Sequence, residues 1–373
     1  MLPLRPEELV DGGIDLRLQG MTLKYPPSIG SNTLRDRIAM FHGAGATREQ
    51  VMVTNGGSEA NHMVMWGLLE PGDRVAVMIP NYLQTWGLAR HYAGRADPFR
   101  LVESAASDRR RWALDVDSLN KAVGKKTRLI VVTHPNNPSG AVLSAEEIDA
   151  IVRAARRSGA FILADEIYRG AEVDGPLSPT FWGRYHRVLV TSGLSKAFGM
   201  PGLRIGWVVG PPKTIAHLCR YHDYTTLTPS LLSDHLAGLA MEPARRDAIL
   251  QRTRDIIRRN LPALEGWITS HGDTFDYIRP QAGAIALLGY DLPIASEALF
   301  DRLRVRRSVL ITPGAHFGIG KYIRVGYGYD MDRTLEGLRQ IDPEIAALRK
   351  GAGRGRRSRR GTGRAARAGA QPQ

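Results

Sequence analysis

Cysteine is nearly absent: Cys219 is the single one in 373 residues. That excludes an intrachain disulfide and a cluster of thiolate metal ligands, so no metal site is expected. A reducing, cytoplasmic setting is the expectation. Long apolar runs are missing as well. None reaches the roughly 18 residues of a membrane-spanning helix, and the start, 1-MLPLRPEELVDGG-13, lacks the apolar stretch of a secretory signal. Acidic residues are missing from one place, the segment 349–373, which holds nine basic side chains and none acidic. Outside it the net charge of +14 shrinks to 42 basic against 37 acidic residues, an ordinary balance for an enzyme. The tail also has no aromatic residue to bury or to stack on a base, so disorder is expected there. A weak attraction to polyanions is the most it implies, and no nucleic-acid partner is expected beyond it.

What is present is enough apolar material, 43% of the chain, for one large domain and a smaller one. From about residue 50 to 210, short apolar runs alternate with stretches of helical period. The runs are 51-VMVT-54, 74-RVAVMI-79, 128-RLIVVT-133, 160-AFILA-164, 187-RVLVT-191 and 205-IGWVVG-210. One helix is well marked: Ser144 and Glu147 form a capping box ahead of Ile148, Ile151, Val152 and Ala155. Strands alternating with helices predict an α/β fold with a doubly wound, mainly parallel sheet. Ligands of such sheets sit beyond the carboxyl ends of the strands. After about residue 243 a long basic helix leads to strands near 285-IALLGY-290 and 322-YIRVGY-327, with a helix at 296-SEALFDRLR-304. The expected division is a large domain over 31–243, a smaller α+β domain of 1–30 and 244–348, and the tail 349–373.

The unusual residues gather at the expected strand ends. In 54-TNGGSEANHMVMW-66, Gly56 and Gly57 permit close backbone approach while Ser58, Glu59 and Ala60 offer the free N–H groups of a helix start, an anion site by geometry and dipole. Alone, it is equally a capped helix after a glycine turn. In 134-HPNNPSG-140, Pro138 biases Asn137 to an extended shape, although an Asn-Pro turn explains it as well. Asp165, ending a buried-looking run in 163-LADEIY-168, is costly there without a cation or proton donor; the other reading is a helix cap. Tyr168 lies one turn on. In 191-TSGLSKAFGMPGLRIGW-207, Lys196 sits among Ser192, Gly193, Ser195 and Gly199, and Arg204 follows in a second glycine-rich turn. A lysine so held is a Schiff-base nucleophile or a solvated loop residue; the arginine is a fork for phosphate. Together they offer a phosphate turn, an amide, a carboxylate with a tyrosine, a lysine and an arginine. Pyridoxal 5′-phosphate has groups for all of them.

The spaced set NNPSG, DEIY, SK and GLRIGW resembles the class I/II aminotransferase superfamily of fold-type I pyridoxal-phosphate enzymes, over about Tyr25 to Arg324. The resemblance implies a Schiff base at Lys196, which also shuttles protons, and Asp165 on the pyridine nitrogen. Tyr168 and Asn137 would bind the phenolic oxygen, and Tyr82 would stack on the ring. Gly57, Ser58 and Glu59 would join Arg204 around the phosphate. Tyr25 is similar to a tyrosine that reaches the neighbouring subunit's phosphate, which implies a homodimer with shared sites. Arg324 matches the arginine that clamps the substrate α-carboxylate. The sequence departs from the pattern in three places. Gly193 stands where relatives often have a phosphate-binding Ser or Thr, a contact that Ser192 or Ser195 would supply. Residues 1–20 are short for the N-terminal arm and roof of relatives. His316, in 312-TPGAHFG-318, places an imidazole near the substrate end, as a turn residue or as a base.

The implied activity is transamination between an L-amino acid and a 2-oxo acid. A second reading keeps the cofactor but ends in elimination, decarboxylation or cyclisation, as in enzymes similar to capreomycidine synthase. The segment 221-YHDYTTLTPS-230 is compatible with that neighbourhood as well. A third, a ligand-sensing nucleic-acid binder, has only the basic tail in its favour.

Overall fold

Runs of β-branched and apolar residues form strands here because helices cover both faces of the sheet they build, leaving no face that must meet water. The computed structural model describes residues 1–9, 18, 20–105 and 110–362. The strands are β1 (Val51–Thr54), β2 (Arg74–Ile79), β3 (Arg95–Ser104), β4 (Arg111–Leu114), β5 (Thr127–Thr133), β6 (Phe161–Asp165), β7 (Val188–Gly193), β8 (Gly206–Val209), β9 (Phe275–Tyr277), β10 (Ile285–Tyr290), β11 (Thr312–Pro313) and β12 (Tyr322–Gly326). The first eight form one sheet in the order β1-β8-β7-β6-β5-β2-β3-β4. The pairs β7–β6, β6–β5, β5–β2 and β2–β3 are parallel. Strand β8 runs against both neighbours, β1 and β7, and β4 folds back on β3. The expected mainly parallel, doubly wound sheet is therefore present.

The helices are α1 (Pro6–Leu9), α2 (Asn32–His42), α3 (Gly57–Leu68), α4 (Leu83–Ala93), α5 (Val116–Ala122), α6 (Ala145–Ser158), α7 (Pro212–His222), α8 (Leu231–Ala240), α9 (Pro243–Ser270), α10 (Ser296–Arg307) and α11 (Met331–Thr362). Alternate side chains of each strand enter opposite cores, as the pleat requires. Val75, Val77, Leu129, Val131 and Leu163 meet α3 and α4 on one face. Ala76, Met78, Ile130, Val132 and Ile162 face the other, against α2, α6 and α9. The Ser144–Glu147 capping box forms as expected. Strands β9 to β12 make a second, antiparallel sheet in the order β11-β12-β10-β9.

Four strands, β3, β4, β9 and β11, were not visible in the apolar pattern. β3 alternates exposed and buried residues, and with β4 it forms the hairpin at the sheet's edge. Of the tail 349–373, expected to be disordered, the backbone as far as Thr362 belongs to α11, and 363–373 lie outside the described residues. Among the described residues no helix is long and apolar enough to cross a membrane, and no cluster of side chains could hold a metal.

Candidate active site

The ends of β1, β2, β5, β6 and β7 lie along one edge of the large sheet, and the loops that follow them carry the polar residues. One expectation is corrected: Arg204 does not follow a strand but precedes β8. Because β8 is antiparallel to β7, its beginning falls at the edge where its neighbours end.

At the end of β1 the chain turns through Gly56, with φ of 88°, into α3. A β-carbon at Gly56 would collide with the Arg204 guanidinium, which lies over the turn, and one at Gly206 would overlap the Gly56–Gly57 peptide. Glycine is required at both positions by this close approach. Arg204 adopts a left-handed backbone, φ 52°, and donates to the Pro201 and Asn55 carbonyls at 3.1 and 3.5 Å. The N–H groups of Gly57 and Ser58 remain for an anion, while that of Glu59 donates to the Gly56 carbonyl at 3.2 Å. The Glu59 carboxylate also faces away from such a role. It accepts from the Asn55 N–H and from Thr226 Oγ1, lies 3.6 Å from His222, and is held down at about 2. Ser192 is buried and its hydroxyl donates to the Glu166 carbonyl at 3.3 Å, so of the two serines only the half-exposed Ser195 keeps its hydroxyl for a ligand. Gly193 has a packing cause: a β-carbon there would stand 2.8 Å from the Ile205 oxygen.

The Lys196 side chain reaches solvent at the mouth of this edge. Crowding by protein lowers its pKa, Arg324 and Arg204 lower it further, and Asp165 opposes them. A lysine so placed yields its free amine more readily than one in water. Asp165 is 7% exposed. Its Oδ2 accepts from Asn61 Nδ2 at 3.0 Å and its Oδ1 from the Ile167 N–H at 3.1 Å. Burial raises its pKa against the pull of Asn61, Ile167 and Lys196, so the carboxyl lacks a cation that a ligand can supply. Tyr168, also buried, is pushed up to about 12 chiefly by desolvation and stays a neutral donor.

Arg324 reaches this edge from β12 of the second sheet. Its guanidinium donates to Asn137 Oδ1 at 2.9 Å and Thr312 Oγ1 at 3.3 Å, and its carbon stands 5.1 Å from the Phe317 ring centre. The Asn137 amide nitrogen is thereby left for an acceptor. The two asparagines of NNPSG divide their work, for Asn136 ties its amide to the Pro80 carbonyl and to Ser139. Tyr82 caps α4 at 39% exposure, near enough to act on Tyr168 and Arg324. His316 is exposed in a short 3-10 turn. Tyr25 does not join the group around Lys196: it is 79% exposed, along a surface groove with Asn55, Thr226 and Pro229.

One residue escaped the sequence reading. Asn61 lies on α3 four residues after Gly57, hence on the same helix face, among Ala60, Met63, Val64 and Met65. A polar side chain inside an apolar stretch was the available signal.

A family model for aminotransferase class I and II matches residues 3–341 of the chain. Among curated proteins, the chain is 32% identical to capreomycidine synthase of Streptomyces vinaceus over 338 residues, covering 91% of this chain and 85% of that one. It is 29% identical to the aspartate/prephenate aminotransferase of Thermus thermophilus over 344 residues, 90% of this chain and 86% of the other. Among solved structures, a PLP-dependent aminotransferase from Streptococcus suis superposes with a TM-score of 0.83 at 28% identity, covering 93% of this chain and 91% of that one.

Proposed function

The chain belongs to the class I and II aminotransferases, and from that membership we propose that it moves an amino group between an L-amino acid and a 2-oxo acid, with Lys196 as the working amine. It is a transferase, and the family's cofactor is pyridoxal 5′-phosphate. The residues present fit that group: Gly57 and Ser58 offer free N–H groups to a phosphate beside Arg204, and no side chain could occupy the Gly56 cradle. Asp165 offers an uncompensated buried carboxylate to a protonated ring nitrogen. When bound, the cofactor supplies an aldehyde that condenses with amines and a ring that accepts the electron pair of the substrate α-carbon.

The residues divide the remaining work. Gly57, Ser58, Ser195 and Arg204 hold the phosphate, with the Glu59 carboxylate bracing the turn through the Asn55 N–H. Asp165 would keep the ring nitrogen's proton. Tyr168 and the Asn137 amide would donate to the phenolic oxygen, and Tyr82 would lie against the ring. Arg324 binds the substrate α-carboxylate, a bidentate match for which its contact with Asn137 fixes the orientation. Lys196, with its lowered proton affinity, removes the proton from the α-carbon and returns it elsewhere. The reading is carried by a single observation. Lys196 stands within electrostatic reach of Asp165, Arg204 and Arg324, which come from β6, the start of β8 and β12. We further propose a cytoplasmic homodimer in which Tyr25 serves the neighbouring copy, and a division into 31–243 and 1–30 with 244–348. The exposure of Tyr25 and the two separate sheets support these readings.

Likeness to capreomycidine synthase favours a second reading, elimination or cyclisation at the same residues. Half-reactions with single amino acids decide between them. Conversion of the cofactor to its amine form with release of a keto acid is expected; ammonia or a cyclic product without that conversion would overturn transamination.

A further inference from the structure

Asp165 is held by a partner that is itself held. Thr191, fully buried on β7, donates its hydroxyl to Asn61 Oδ1 at 2.6 Å. Asn61, 2% exposed on α3, then turns its Nδ2 to Asp165 Oδ2 at 3.0 Å and lies 3.5 Å from Gln84 Oε1 with the same nitrogen. The amide cannot be flipped without cost. Reversed, its oxygen would face an ionised carboxylate oxygen at hydrogen-bond distance, while its NH2 would meet Thr191. A hydroxyl can meet either end of the amide, so the carboxylate sets which end faces it, and Thr191 Oγ1 holds the side chain in place behind it. Asn61 can only donate there, and a donor favours the ionised carboxylate.

We propose that Asn61, held by Thr191, is the positioning residue that keeps the Asp165 carboxylate ionised and aimed at the cofactor's ring nitrogen. The inference rests on the reading that this site holds pyridoxal phosphate. The charged and titratable groups facing Asp165 are Lys196 from the loop after β7 and Glu166 and Tyr168 from its own segment. The hydrogen bonds to its oxygens come from Asn61 and the Ile167 N–H. Of these two, only Asn61 can be removed without altering the backbone. The chain β7–α3–β6 thus runs from a strand, through a helix, to the carboxylate at the centre of the edge.

The test uses Asn61→Leu, which keeps the volume, and Thr191→Val with Thr191→Ser as its conservative rescue. In full-length protein without cofactor, the Asp165 carboxyl is titrated by carbon NMR of labelled aspartate. Loss of one donor to a charged group should raise its midpoint by about one pH unit in Asn61→Leu, and by less in Thr191→Val. In protein loaded with ring-15N pyridoxal phosphate, the ring nitrogen should lose its proton about tenfold more readily, with Thr191→Ser restoring wild-type behaviour. If Asn61→Leu does not fold, the two Thr191 variants carry the same comparison. An unchanged Asp165 midpoint together with an unchanged ring nitrogen overturns the role given to Asn61. A wild-type protein that binds no cofactor overturns the cofactor reading instead, since the first titration is read without it.

Discussion

Asp165 and Glu166 are neighbours in sequence and open onto two different regions. Glu166 points into a closed network behind the sheet edge: both its oxygens accept from Thr180 Oγ1 at 2.8 Å, and Oε1 from the Phe181 N–H at 2.8 Å. Arg169 stands 4.0 Å away and continues the network to the Ser178 carbonyl, while Glu172 meets Arg254. Asp165 faces the opposite way, with two neutral donors and no cation in direct contact. Both carboxyls are raised by burial, yet only one region is complete without a ligand. Buried charge that the protein satisfies is architecture; buried charge left waiting marks a site.

The contrast predicts a ranked series. Lys196→Ala should cost most, at least about a thousandfold in turnover with loss of the cofactor's visible absorbance; stopped assays and spectra check it, and normal turnover would sink the assignment. Asp165→Asn should lower turnover by about a hundredfold while leaving the thermal midpoint unchanged or higher, because it removes an uncompensated buried charge. Gly56→Ala should weaken cofactor affinity by about tenfold, through strain at a positive φ and displacement of Arg204, as equilibrium titration would measure. Glu166→Gln should leave turnover nearly intact and act on stability instead. Its carboxyl is pushed up to about 7 from 4.5, so the folded protein binds that proton more tightly than the unfolded chain. Wild-type stability from this group is present below 4.5 and lost as pH rises through about 7. Melting curves should therefore shift in the variant's favour by a few kcal/mol across that window, and equal slopes in the two proteins would erase the proposed contrast. Deleting residues 351–373 should change least: turnover and melting stay as they are, since Arg349, which donates to Thr274 Oγ1 at 2.9 Å, is retained.

Much of the front region was legible because its residues sit at breaks in pattern. A lysine among glycines and serines, an aspartate ending an apolar run and an asparagine before proline each contradict their local surroundings. Strand direction leaves no such mark. Nothing in IGWVVG says that it runs against its neighbours, so the place of Arg204 had to come from the sheet. Nor does the sequence mark the partners of the Glu59 carboxylate, since Thr226 and His222 lie more than 160 residues on. The edge strand β3 hid behind an alternation of charges and a proline, the composition of an edge that need not be apolar.

The reversal of β8 has a mechanical consequence. Residues 194–205 form a single connection between adjacent strands, and that connection carries both Lys196 and Arg204. The two residues proposed to grip the ends of the cofactor are thus mounted on one span whose feet, Gly193 and Gly206, are paired across the sheet. Both residues are therefore borne by the large sheet alone, while Arg324 comes from the second sheet.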